Sequence, residues 1–120
     1  MRFFFVLIIL WPGIERAMGQ DAKSEAFFEA QIRPILAGTC FRCHGGERVS
    51  GGLRVDSRQG LLEGGDSGPA IIPGDPGRSL LLQAIQRQAD VSAMPPAQDQ
   101  ALTALQVQAI RDWISAGVYW

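Results

Sequence analysis

The chain is 120 residues long, 47% hydrophobic, and carries eleven Lys and Arg against twelve Asp and Glu, for a formal net charge of −1. That length leaves room for one domain, and with no basic tract there is no electrostatic footprint for nucleic-acid binding. The two cysteines and the single histidine fall within five consecutive residues, Cys40 to His44. Any thiol or imidazole chemistry is therefore confined to one place.

Met1-Arg2 opens the chain with a positive charge, and Phe3 to Trp11 is an unbroken apolar run ended by Pro12-Gly13. Spanning a bilayer as a helix takes about 20 apolar residues, so this run is short for a membrane helix and fits the centre of a secretory signal. Ala17-Met18-Gly19 supplies a small-x-small cleavage pattern. The expectation is a signal peptide over 1–19 with cleavage before Gln20, a cut near Ala22 or an uncleaved membrane anchor being the alternatives. Export places the protein in the periplasm or an equivalent compartment outside the cytoplasm. Losing Arg2, Glu15 and Arg16 with the signal leaves nine Lys and Arg against eleven Asp and Glu, a mildly acidic domain whose only lysine is Lys23.

Residues 20–120 then make up one domain of about 100 residues, a size at which a single core benefits from a staple or a cofactor. Ser24 is placed to cap a helix whose apolar residues Phe27, Phe28, Ile32, Ile35 and Leu36 recur at three- and four-residue intervals. Pro34 predicts a kink or restart, and Gly38 predicts the end of the helix just before Cys40. Cys40-Phe41-Arg42-Cys43-His44 follows, and C-x-x-C-H is the sequence to which a c-type haem is attached. Two thiols three positions apart each add to one haem vinyl group, and the adjoining imidazole turns onto the iron.

Three other readings compete for the same residues. A Cys40–Cys43 disulfide suits an oxidising compartment. Tetrahedral zinc would be short of a fourth donor, since no other Cys or His exists in the chain. A thioredoxin-like dithiol belongs in a strand–helix–strand setting that the following sequence does not suggest.

Ten of the fourteen glycines lie between Gly45 and Gly77, which predicts a long, turn-rich connection of the kind that wraps a cofactor. Leu53 and Val55 read as a short extended piece, Asp56 or Ser57 as the cap of a brief helix through Leu61 and Leu62, and Ala70 to Ile72 as a second extended segment. Gly65-Asp66-Ser67-Gly68 matches the nucleophile neighbourhood of chymotrypsin-like proteases. That reading fails because the sole histidine sits in C-x-x-C-H and the chain is too short for the double barrel. The glycines there instead let backbone approach another surface closely.

Asp75-Pro76 reads as a helix start, with Leu80, Leu81, Leu82 and Ile85 as the apolar face of a helix to about Gln88. Met94, followed by Pro95-Pro96, is held out of helical conformation. The ordinary fate of a methionine is to fill a gap in a core. Met94 is nevertheless the candidate sixth haem ligand: it is the only thioether left after signal removal, it stands fifty residues beyond His44, and thioether is a soft donor suited to haem iron. Thr103 and Gln106 form a capping box for a last helix with Leu105, Ala109, Ile110, Trp113 and Ile114 on one face and Gly117 at its end. Trp113 reads as core packing. Arg42, Arg48, Arg54 and Arg58 are all close enough in sequence to reach a haem propionate.

Taken in order, these segments resemble the planctomycete-type cytochrome c domain, a small haem module often found at the N-terminus of large exported proteins. The resemblance runs from Phe28–Ile35 through Cys40–Gly46, Gly51–Arg58, Gly64–Ile71, Pro73-Gly74, Ser79–Leu81 and Met94–Pro96 to Trp113-Ile114. It implies that Cys40 and Cys43 are the thioether attachment points, His44 the proximal iron ligand and Met94 the distal one. Family members commonly continue into further domains, whereas this sequence ends at Val118-Tyr119-Trp120.

The expected fold is all-α and cytochrome c-like, with N- and C-terminal helices packed together and a long Gly-rich loop around the haem. The expected function is one-electron transfer through one covalent haem c, without catalysis, to redox protein partners or a larger exported enzyme. No nucleic acid is involved, and membrane contact would come only through an uncleaved N-terminal segment. The alternatives are a five-coordinate haem sensor or catalytic module, and a haem-free, disulfide-stapled interaction domain.

Overall fold

The computed structural model of the protein describes residues 21–120, so the expected signal segment 1–19 and its cleavage site before Gln20 lie outside the described residues. Helical turns follow one another from residue 25 to residue 44, here called α1. The start is capped as the sequence predicts, the Ser24 hydroxyl accepting from the Phe27 N–H at 3.1 Å. A proline has no N–H to give to the carbonyl four residues back, and its ring crowds that carbonyl. Ahead of Pro34 the helix accordingly widens into a π-helical stretch, Phe28–Ile32, with the Arg33 N–H reaching back five residues to the Phe28 carbonyl.

Gly38 does not end this helix. Cys40 and Phe41 pack against the core, and keeping them there takes a second π-helical stretch, Leu36–Cys40, and a last α-helical turn, Phe41–His44. Gly45 ends the helix instead. A Cβ at Gly45 would come to 3.0 Å from the Phe41 carbonyl oxygen and 3.3 Å from the Phe41 Cα, which leaves little space for a side chain. The chain then doubles back in a minimal hairpin, with strand β1 (Arg48–Val49) bridged antiparallel to Gly45 and His44.

Beyond the hairpin the chain is mostly turns, as its glycines imply. Ser57 caps α2 (Arg58–Glu63) through the Gly60 N–H at 3.0 Å, and the N–H groups of Ala70 and Ile71 both donate to the Leu61 carbonyl. The helix expected from Pro76 to Gln88 is broken in two. Pro76–Arg78 is a single 3₁₀ turn, and α3 spans only Leu80–Ile85. Between them Ser79 is fully buried in extended conformation, its hydroxyl donating to the Asp75 carbonyl at 2.8 Å and accepting from the Ile72 N–H at 2.9 Å. Arg87, with φ of 59°, turns the chain out of the helix at the far end.

The last helix, α4 (Ala104–Ala116), has the predicted capping box in full, and Gly117 closes it in left-handed conformation at φ 111°. Leu105 is not on its buried face but 84% exposed. At about 100° per residue it lies roughly 140° around the helix from Ile110, off the stripe that Ile110, Trp113 and Ile114 bury.

α4 packs against the π-helical stretch of α1. The Phe28 and Trp113 ring centroids stand 5.8 Å apart and Trp120 closes on Phe28 at 4.3 Å, all three rings tilted relative to one another as aromatic quadrupoles favour. The buried Trp113 indole N–H finds its partner in the Tyr119 carbonyl at 2.6 Å. The expectation of Trp113 as core packing therefore holds. The described residues are helix-rich, with strand limited to the hairpin and no sheet, in keeping with an all-α class. None of their helices is long and apolar enough to cross a membrane.

Candidate functional site

A cavity of about 760 Å³ opens beside the last turn of α1, a size within the ~300–1,000 Å³ common for cofactor sites. Cys40, Cys43 and His44 line it from one side. Met94 lines it too, from a segment fifty residues later, so all four residues singled out from sequence meet in one space. Its walls are largely aliphatic, supplied by Leu53 and Val55 after the hairpin, Leu81 and Ile85 of α3, and Leu102.

Cys40 and Cys43 fall three residues apart at the end of a helix, a spacing that sets them on one face. Both are unbridged and half-buried. Burial pushes the Cys40 thiol up to about 11 from its ordinary 9.0. At neutral pH it stays protonated, the opposite of the lowered pKa that an activated redox dithiol needs.

His44 is the C-terminal residue of α1, and the segment after the hairpin fixes it twice. The Val55 N–H donates to its carbonyl at 2.8 Å. Its ring Nδ1 stands 3.3 Å from the Leu53 carbonyl oxygen. An imidazole that donates from Nδ1 to a carbonyl has its tautomer and orientation set, and its Nε2 lone pair is left for a metal. Among the described residues no three His, Cys, Asp or Glu side chains converge as a metal-binding group. His44 and the Met94 thioether are donors on different elements facing one cavity.

Met94 is half-buried, with its N–H donating to the Ala84 carbonyl at 3.1 Å. The two residues after it are tied down by Arg87, whose guanidinium donates to the carbonyls of Pro95 at 2.7 Å and Pro96 at 3.2 Å. Sequence reasoning missed Arg87, because nothing in its surroundings separates it from a surface charge. It also read Leu81 and Ile85 only as one face of a helix, although that face is the cavity wall.

The four arginines divide. Arg42 lines the cavity and is exposed. Arg48 is exposed and does not line it. Arg54 pairs with Asp56 at 3.4 Å. Arg58 is committed elsewhere, donating to the Val118 carbonyl at 2.9 Å.

The Gly65–Gly68 turn contributes to the rim, with the Asp66 N–H donating to the Gly51 carbonyl at 2.8 Å. A Cβ at Gly65 would overlap that same carbonyl oxygen. Gly65 thus serves close backbone approach, as the sequence suggests, whereas Gly68 has open space around it and is called for by its φ of 99°.

A family model described as Planctomycete cytochrome C matches residues 40–98. The match begins at Cys40 and reaches beyond Met94. It is narrower than the resemblance drawn from sequence, leaving out most of α1 and all of α4. No curated protein and no solved structure matches the chain.

Proposed function

We propose, from the match of residues 40–98 to the Planctomycete cytochrome C family model, that the protein is an electron carrier holding one covalently attached haem c. The observation that carries the proposal is the single cavity lined by Cys40, Cys43, His44 and Met94 together. The residues present fit the group. The volume suits a cofactor, the walls are aliphatic, two thiols stand at the attachment spacing, and an imidazole is already oriented by the Leu53 carbonyl. When bound, haem supplies a one-electron iron couple whose potential is set by its axial ligands and surroundings.

The chain's own residues would each have a defined task. Cys40 and Cys43 anchor the macrocycle through thioether bonds. His44 offers Nε2 as the proximal ligand, and donation from Nδ1 to Leu53 raises its basicity. Met94 would offer its thioether from a separate segment, and His/Met ligation would hold the potential high relative to many alternatives. Leu53, Val55, Leu81, Ile85 and Leu102 keep water off the macrocycle, and Arg42 is the arginine placed to pair with a propionate. If His44 and Met94 both held the iron, no coordination site would be left open for substrate chemistry, which favours a carrier over an enzyme. The N-terminal apolar run supports export, to a compartment where the partner is a redox protein or a larger exported enzyme.

Expression in a host competent for haem c maturation tests this directly. A denaturing gel stained for haem should show the cofactor travelling with the polypeptide. The mature mass should exceed that of the polypeptide by ~600 Da, whereas a haem-free disulfide would lower it by only ~2 Da, a difference set by the covalent chemistry. A polypeptide without bound haem would falsify the proposal, and absorption spectra in both oxidation states report the axial ligands.

A further inference from the structure

We propose that Arg87 is the positioning residue for Met94, holding the thioether at the cavity by clamping the two proline carbonyls that follow it; this rests on the reading of Met94 as an iron ligand. The segment after α3 has little structure of its own. Ahead of Met94 its described backbone bonds are Gln86 to Leu82, Arg87 to Ala84, Gln88 to Gln83 and Val91 to Gln88, and Pro95 and Pro96 have no N–H to donate. What ties Met94 to the rest of the protein is one carbonyl and one side chain. The Ala84 carbonyl accepts from both the Arg87 N–H and the Met94 N–H, each at 3.1 Å, and the Arg87 guanidinium spans the Pro95 and Pro96 carbonyls at 2.7 and 3.2 Å. A planar fork donating from two nitrogens to two successive carbonyls fixes orientation as well as distance.

Two further observations point the same way. Arg87 makes no ion pair with a carboxylate among the described residues, so its fork is used on the carbonyls alone. Its φ of 59° lies in the left-handed region that suits glycine and is strained for arginine. A position that needed only the turn would be better served by glycine. Arginine there is accounted for by what its side chain holds. Arg87 does not line the cavity, so it acts through Met94 and not on the cofactor.

The test uses haem-loaded protein as wild type, Arg87→Gly and Arg87→Lys. Carbon monoxide association with the reduced form reads how often the sixth position is open. The ferric absorption attributable to methionine coordination reads the same bond at rest. Hydrogen exchange compares the peptide spanning 88–100 with α4. Arg87→Gly relieves the backbone while removing the fork. It should keep covalent haem and α4 protection, yet exchange faster over 88–100 and bind carbon monoxide at least about tenfold faster, the size of effect that losing charge-assisted hydrogen bonds carries. Arg87→Lys should fall between, since one ammonium cannot donate in fork geometry.

If Arg87→Gly binds carbon monoxide as slowly as wild type, Arg87 does not position Met94. Should that variant not be recovered, unchanged binding in Arg87→Lys and Arg87→Gln overturns the proposal equally. Wild-type protein that carries covalent haem but binds carbon monoxide at once has an open sixth position. That result removes Met94 ligation, and this proposal with it, while leaving haem attachment intact; absence of haem from wild type fails the haem reading itself.

Discussion

His44 and Met94 illustrate how differently two residues of one site can be held. His44 ends a helix and sits in a hairpin, with its carbonyl and its ring both engaged by backbone eleven and nine residues on. Met94 depends on a short non-helical segment and the Arg87 fork. The Met94 side is therefore the one expected to yield first under heat or denaturant. Met94→Ala should leave covalent haem in place, since the attachment residues are untouched. The reduced protein should then bind carbon monoxide rapidly, and its potential should fall by on the order of 0.1 V, within the ~0.8 V range that axial ligands command. Redox titration checks the second effect; an unchanged potential would mean that the thioether is not on the iron.

At the scale of elements, α1, α2 and α4 each start at a capping side chain, whereas α3 starts without one. Thr103 and Gln106 satisfy each other's N–H groups at the start of α4, so Thr103→Ala should cost about 1 kcal/mol. In a domain of this size that is a drop of about 4–8 °C in Tm, with no change in the haem spectrum because neither Thr103 nor Gln106 is part of the cavity lining. Gly65 is the contrasting case. Any side chain there meets the Gly51 carbonyl and must push the Gly65–Gly68 turn away from the hairpin region. Gly65→Ala should cost about 1–3 kcal/mol as overpacking does. Unlike the Thr103 change, it should also alter the haem environment, visible in the near-UV and Soret circular dichroism.

For the whole molecule, the aromatic contact of α1 with α4 forms one part of the core, and the cavity walls form the other. The two meet in the same buried cluster, to which Cys40, Phe41, Leu53 and Leu102 are partly buried neighbours. Without a cofactor, the apolar walls of this solvent-open space of about 760 Å³ would be left facing water, at a cost that grows with the apolar area exposed. Haem-free protein must therefore flood or collapse that space. The double variant Cys40→Ala/Cys43→Ala should retain helix but lose at least about 3 kcal/mol, or more than about 12 °C in Tm, and bind ANS through the exposed walls. Haem-free protein that melts like the attached form would show that the cavity is not the cofactor's.

Much of this was legible in the residues themselves, for identifiable reasons. Caps at Ser24, Ser57 and Thr103 and the left-handed stop at Gly117 depend on neighbours within four positions, and they stand as the sequence predicts. C-x-x-C-H is equally local, because attachment chemistry and helical spacing are set within five residues. What failed depended on contacts from afar: Gly38 does not stop α1 because the core holds Cys40 and Phe41 in helix, and the helix after Pro76 breaks because Ser79 is buried against Ile72 and Asp75. The sequence alone determined which residues are the candidates for the chemistry and where the short-range turns and caps fall. Only the tertiary structure decided that Met94 faces the same cavity as His44 and that Leu81 and Ile85 wall it. It also decided that Arg87 is no surface charge, because hydrogen bonds between segments of unrelated sequence leave no periodic trace in the chain that makes them.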